Sequence, residues 1–422
     1  MAIAVTTAGK TRFIDWYQRN RARSAMLFDM LTPEAYESRP IPLRHPVRFY
    51  EGHLSAFSYI TLVRDAAGKP SIDLELERLF YRGIDPASVD AAAHSAPERW
   101  PTREQVRLFG AKCDAAVVEM LEHADRDGKL SPRVREAMYT ILEHEQMHHE
   151  TLLYMLHRVP VDQKRRPAGT AGTPPDGPQR TQERVTIPAG TATLGAVRSE
   201  TEFGWDNEFE ALRVDVPAFE IDKYSVTNAD YLRFVEAGGS PPAFWVRGTG
   251  EWRLTTMFEK IPLPLAWPAY VSQEQATAFA RWRGMRLMTE PEFHRAAYAT
   301  PSGEERPQPW GDAAPTSEHG NFDFENWDPI ASGSRPAGAS AWGVEDLVGN
   351  GWEWTSTEFG PLPGFKPMES YPAYSADFFD GAHFVTKGAS PVTARELVRR
   401  SLRNWYRPNY PYIYAKFRCV AT

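Results

Sequence analysis

Residues 143–155 read EHEQMHHETLLYM and set His144, His148 and His149 within six positions of an otherwise apolar helical pattern. Residues four apart share one face of an α-helix. His144 and His148 can therefore present ring nitrogens to one ion, with Thr151 and Met155 continuing their stripe, while His149 and Glu150 point elsewhere. A histidine-rich helix end can also be simply solvated, or paired with Glu143, Glu145 and Glu150. An i, i+4 histidine pair inside an apolar helix favours metal binding.

The segment closes a series of four stretches with apolar residues at three-to-four spacing: RFIDWYQRNRARSAMLFDML (12–31), HLSAFSYITLVRDA (53–66), REQVRLFGAKCDAAVVEMLEHA (103–124) and RVREAMYTILEHEQMHHETLLYMLHR (133–158). This pattern predicts an antiparallel four-helix bundle, whose core is a natural place for metal ligands from facing helices. A third ligand is expected from His53, read as standing at the start of its helix after Gly52, with His45 on a Pro-flanked loop as the rival. Three neutral imidazoles leave up to three open coordination positions, which suits iron(II) binding of substrate and dioxygen as well as a zinc hydroxide. Spacing alone does not choose the metal.

His144-Glu145-Gln146-Met147-His148 also fits H-E-x-x-H, the zinc hydrolase pattern in which Glu145 would be the base. That chemistry needs a third ligand, usually downstream. Here only His157 precedes a long histidine-free stretch, so the hydrolase reading is the weaker one.

Residues 161–184, VDQKRRPAGTAGTPPDGPQRTQER, carry no apolar period and read as a linker or surface loop between a helical domain (1–160) and a second domain (185–422). In the second domain, short stretches such as VTIPAGTATLG (185–195), FEIDKYSVT (219–227), HFVTKGAS (383–390) and YAKFRCV (414–420) are punctuated by Gly, Pro, Trp and Asn. Two helical segments stand out, NADYLRFVEAG (228–238) and QEQATAFARWRGM (273–285). The expected class is α+β with many irregular loops.

The 48 basic and 55 acidic side chains give a net charge of −7 without a basic stripe, which argues against nucleic acid or an anionic membrane as partner. Two cysteines, Cys113 and Cys419, rule out a disulfide framework or a cysteine-built zinc site and fit a reducing cytoplasm. The start, MAIAVTTAGKTRFIDW, lacks an apolar signal region, and no window reaches 18 apolar residues. A cytoplasmic protein is expected.

Four ordered segments of the second half, VTNADYLRFVEAG (226–238), RLMTEPEFHRAAYA (286–299), WGVEDLVGNGWEWT (342–355) and RNWYRPNYPYIYAKFRC (403–419), resemble the formylglycine-generating-enzyme and sulfatase-modifying-factor fold, a C-type-lectin-like scaffold. Those enzymes use a cysteine pair on copper, which Cys419 alone does not match, so their activity is not implied. A DinB-like bundle with H-x-x-x-H-x-E (His144, His148, Glu150), fused to such a domain, resembles the EgtB-type ergothioneine sulfoxide synthases over nearly the whole chain. GHLS (52–55) is similar to that family's upstream iron-ligand motif and points to His53.

The resemblance implies an iron(II) site on His53, His144 and His148, O2 as co-substrate, and the small molecules hercynine (trimethylhistidine) and a chalcogen donor as substrates. It implies that Asn404 and Trp405 hold hercynine, an aromatic face attracting the trimethylammonium. It further implies a proton-supplying tyrosine, for which Tyr374 and Tyr371 are the candidates, with Trp352 and Trp354 assigned to the scaffold core.

Two positions depart from the family pattern. Met147 stands where a hercynine-contacting Gln is frequent, and Tyr406, followed by Arg407, stands where one class has an Asp that helps hold γ-glutamylcysteine. A neutral phenol cannot replace a carboxylate facing a cation. The ending RPNYPYIYAKFRC resembles the selenoneine synthase (SenA-type) branch, which implies a selenosugar donor; the sulfur donors γ-glutamylcysteine or cysteine are the alternative. Outside this family the rivals are the zinc hydrolase, a DinB-type thiol transferase and a non-catalytic binding module. Sequence sets no oligomeric state.

Overall fold

The Ser131 hydroxyl accepts from the Val134 amide and Pro132 opens the first turn, so the histidine helix has a sharp start. The structure, a computed structural model, describes residues 13–81, 99–127 and 130–422. The first dozen residues, on which the reading of the N-terminus partly rests, lie outside the described residues. The chain falls into two compact units, 1–165 with 369–371, and 166–368 with 372–422.

Among the described residues of the first unit the helices are α1 (Phe13–Asp29), α2 (Pro33–Glu37), α3 (Val47–Ser58), α4 (Leu74–Phe80), α5 (Arg103–Asp127) and α6 (Pro132–His157). A π-helical stretch, Tyr59–Ala66, continues α3. Helix α3 packs on α5 and α6, and α1 packs on α5 and α6, around a core that includes Leu27, Leu54, Phe109, Val117, Leu121, Ile141 and Leu152. All four expected helical stretches are present.

His53 is midway along its helix rather than at the start, because α3 begins at Val47 behind Pro46. Gly52 suggests a helix start by propensity, yet here it is interior: a Cβ on it would lie 2.6 Å from the ring of Phe80. The short helices α2 and α4, capped by Thr32 and Asp73, gave no periodic signal.

The second unit is sheet-rich, with α7 (Asn228–Glu236), α8 (Gln273–Trp282) and α9 (Glu290–Tyr298). One sheet has the order β1 (Arg184–Ile187), β4 (Phe219–Asp222), β13 (Cys419–Ala421), β8 (Met285–Leu287). A second has the order β11 (Asn404–Tyr406), β10 (Phe384–Ala389), β9 (Gly351–Glu358), β12 (Ala415–Lys416). The pair β2 (Gly190–Leu194) and β3 (Leu212–Val216), and the three strands β5 (Trp245–Arg247), β6 (Trp252–Thr255) and β7 (Lys260–Pro262), complete the set. The class is α+β, a helical bundle and a sheet-rich domain.

Each of α7, α8 and α9 starts with a reciprocal capping box, Thr227 with Asp230, Ser272 with Gln275 and Thr289 with Glu292. Helix α9 is a third helix where sequence pattern gave two; it is only nine residues long, with Pro in its first turn. The motif segments lock one another. Glu353 of β9 is fully buried between Lys416 (2.5 Å) and Arg418 (2.7 Å), and Glu290 of α9 holds Arg403, just before β11, at 3.0 Å. Trp352 and Trp354 are core residues, as expected.

The Pro/Gly-rich stretch is partly laid down as structure. Buried Lys164 donates to the Leu156 carbonyl at the end of α6 (2.7 Å), and the Asp176 carboxylate accepts from the Leu265 and Ala266 amides (3.0 and 2.8 Å). Lack of an apolar period reports lack of regular structure, not lack of packing.

Candidate metal centre

Helix α6 brings the His144 and His148 rings to 4.4 Å, and α3 sets His53 at 5.2 and 4.9 Å from them. One nitrogen from each ring lies within 4.8 Å of the others. His53 Nδ1 is 2.7 Å from the Phe80 carbonyl oxygen. A carbonyl only accepts, so Nδ1 carries the proton and Nε2 keeps its lone pair.

His53 Nε2, both nitrogens of His144 and His148 Nδ1 are buried without a hydrogen-bond partner. Buried polar atoms rarely stay unpaired. Three converging imidazoles, each with an unpartnered ring nitrogen, form a donor set that fits a divalent ion with nitrogen preference, so the residues present suit the implied metal.

An apolar shell surrounds them: Phe57 stacks on His144 (3.6 Å), Phe49 on His53 (5.3 Å), and Tyr50 tilts against His148 (5.6 Å). Burial pulls the imidazoles toward their neutral form, His53 to about 4 and the other two well below the usual histidine value, with repulsion from neighbouring histidines adding to the effect. Neutral imidazole is the ligating form. His45, the rival third ligand, stacks on Phe49 (4.1 Å) and is not part of the cluster.

Glu145 does not join the histidines. Its carboxylate accepts from Arg21 Nη1 (2.8 Å) and the Ser24 hydroxyl (2.6 Å), and His149 shares that face with its Nε2 2.8 Å from the same hydroxyl. The H-E-x-x-H spacing is thus split between two faces of α6, and the would-be base is an ion-paired structural group.

The two tyrosine candidates separate. Tyr371 lies in the first unit, its ring 6.1 Å from His144 and 5.2 Å from Phe57. The neighbouring Ser370 anchors it, with its amide and hydroxyl donating to Glu136 at 2.9 and 2.8 Å. Tyr374 lies in the second unit, stacked on Trp205 at 4.0 Å. Met147 is half-buried and Glu150 buried on α6.

In the second unit, Trp405 stacks flat on Phe359 (4.2 Å) with the edges of Tyr374 (5.3 Å) and Phe378 (5.5 Å) nearby. Asn404 folds its side chain locally, accepting from the Trp405 amide (2.9 Å) and donating to the Tyr406 hydroxyl (3.2 Å). Tyr406 stacks on Tyr410 (5.9 Å), and Arg407 is exposed. Sequence reading missed Trp205, Phe359 and Arg403, the groups that shape this aromatic cluster. Within the stretch GWDNE (204–208), aromatic and acidic residues side by side were the available signal.

Residues 17–152 match the DinB superfamily and residues 170–422 the sulfatase-modifying factor enzyme 1-like domain. The chain is 35% identical to a hercynine oxygenase of Mycolicibacterium thermoresistibile, covering 89% of this chain and 87% of the relative. It is 30% identical to a hercynine oxygenase of Mycobacterium tuberculosis, over 95% and 96%. Ergothioneine biosynthesis protein 1 of Neurospora crassa is 27% identical over 96% of this chain and 57% of the relative. With such identity across both domains, the chain belongs to the EgtB-type family, in which a DinB-like helical domain is joined to a sulfatase-modifying-factor-like domain.

Proposed function

We propose that this protein is an O2-dependent nonheme iron(II) enzyme that joins the imidazole C2 of hercynine to a chalcogen donor, with a selenosugar as the preferred donor. The observation that carries the reading is the convergence of three neutral imidazoles, each with a buried ring nitrogen that has no hydrogen-bond partner, in a chain whose relatives are hercynine oxygenases. His53, His144 and His148 would hold the iron. When bound, iron(II) would supply the redox chemistry that lets O2 oxidise a thiolate or selenolate donor. For a selenol or thiol donor the overall change balances: the C2–H and Se–H or S–H hydrogens leave with one oxygen atom as water, and the other oxygen stays on the chalcogen.

The protein's own groups act around this. Phe57 and Phe49 exclude water from the ligand rings. Tyr371 is preferred over Tyr374 as proton donor through its hydroxyl, because its ring lies beside His144. We assign Asn404 and Trp405 to hercynine, the indole face attracting the trimethylammonium, and Met147 to the same substrate.

Tyr406 and Arg407 are assigned to the donor. Tyr406, neutral where a carboxylate would clamp a charged peptide, supports a hydroxylated donor. A cytoplasmic setting goes with this reading; no helix among the described residues is long and apolar enough to cross a membrane.

The test is anaerobic iron(II) reconstitution, then O2 with hercynine and, in parallel, a selenosugar or γ-glutamylcysteine, with products read by mass. A selenium adduct alone supports the proposal as stated. A sulfur adduct alone moves the chain to the ergothioneine branch. No adduct from iron-loaded protein with either donor would refute the synthase reading.

A further inference from the structure

Arg21, on α1, touches all three other long helices among the described residues of the first unit. Its Nη1 donates to Glu145 of α6 (2.8 Å), its Nη2 to the Ser55 hydroxyl of α3 (2.7 Å) and its Nε to Asp114 of α5 (3.2 Å). Two of these partners adjoin metal-ligand candidates in sequence: Glu145 follows His144, and Ser55 is two residues after His53.

The surrounding groups close the network. Ser24, one turn along α1, donates to Glu145 at 2.6 Å; Tyr17 donates to Asp114 at 2.7 Å; and Asn20 donates to the Leu142 carbonyl at 2.9 Å. Glu145, Ser24 and Ser55 are almost wholly buried. Gly110 on α5 leaves room for the Ser55 hydroxyl, which a Cβ there would approach to 3.1 Å.

We propose that Arg21 is a positioning residue for the three-histidine centre, a guanidinium strut that fixes the spread between the helix carrying His53 and the helix carrying His144 and His148. The inference rests on the metal reading of those histidines. A planar guanidinium with fixed donor directions suits this task, since its partners on different helices must meet set angles. The Ser24, His149 and Glu145 trio could be mistaken for a hydrolytic triad, but all three are buried, so in this network they serve the same strut.

The test uses the whole two-domain chain, metal-free and titrated anaerobically with cobalt(II), a readout independent of turnover. Arg21→Met is expected to weaken cobalt binding by about 10–100-fold, the range for removing groups that orient ligands, and to change the d–d absorption bands. Ser55→Ala, which removes only the link to α3, is expected to weaken binding several-fold and keeps the test valid if Arg21→Met does not fold. Val117→Ala, a core truncation in the same bundle, is expected to lower the unfolding midpoint and leave cobalt affinity unchanged.

Wild-type affinity and bands in Ser55→Ala, or in folded Arg21→Met, would overturn the proposal. So would an equal loss in Val117→Ala, which would make the effect one of stability alone. Failure of the wild-type protein to bind cobalt through His53, judged with His53→Ala, would instead refute the metal reading on which this inference rests.

Discussion

His53 donates its Nδ1 hydrogen to the carbonyl of Phe80 across 2.7 Å, leaving Nε2 as the ring's lone-pair nitrogen beside His144 and His148. Phe80 is the last residue of α4, and its ring lies against Gly52, the residue before His53. One glycine thus admits the ring whose backbone sets the tautomer of the adjacent histidine. A Cβ at Gly52 would sit 2.6 Å from that ring. Gly52→Ala is therefore expected to cost about 1–3 kcal/mol, as overpacking does, and to weaken cobalt binding about tenfold. Denaturant titration and cobalt titration on the same preparation check both.

His144 is 3% exposed and neither ring nitrogen has a partner. In metal-free protein that is a stability cost. His144→Leu should raise metal-free stability by about 1 kcal/mol or more while abolishing metal binding. A fall in the unfolding midpoint of the metal-free variant would contradict the idea that this site is held for a ligand.

Acid should destabilise the metal-free protein. The folded-state pKa of His53 is lowered by burial from 6.5 to about 4, and those of His144 and His148 are lowered too. Between these values the unfolded chain takes up protons that the folded chain refuses, so stability is present above pH 6.5 and is lost as pH falls toward 4. The unfolding midpoint measured over that window should fall, and more steeply in wild type than in His53→Phe.

Glu145 should be dispensable as a base. Its carboxylate is engaged by Arg21 and Ser24 on the face away from the ligand pair. Glu145→Gln is expected to keep turnover per bound metal within about tenfold of wild type, far less than loss of a general base brings, while losing some stability. Retained metal with turnover abolished would return the hydrolase-type role to consideration.

Glu353 neutralises two buried cations, Lys416 and Arg418. Glu353→Ala leaves both uncompensated and should cost about 3–5 kcal/mol. Glu353→Gln, which keeps an acceptor, should cost less. The second unit's tryptophan fluorescence during unfolding reports the difference.

How much was legible depended on the range of the interaction. Helical periodicity carried α1, α3, α5 and α6, and the i, i+4 spacing carried the His144/His148 pair, because both follow from the geometry of one helix. Short α9 was missed as a helix, since nine residues beginning with Glu-Pro give little periodic signal. His53 was named from its motif, but the orientation of its ring depends on the carbonyl of Phe80, 27 residues away.

By itself the sequence determined what local rules and ordered motifs encode: a bundle joined to a sheet-rich domain, a histidine pair on one helix face, and a family kinship carried by segments that turn out to be mutual ion-pair anchors. Only the tertiary structure decided that Glu145 faces α1 rather than the histidines, that His53 rather than His45 joins the cluster, that Tyr371 and Tyr374 belong to different units, and that Arg21 spans four helices. Those outcomes hang on which side chains meet across helices far apart in the chain, and no spacing within one segment encodes such a meeting.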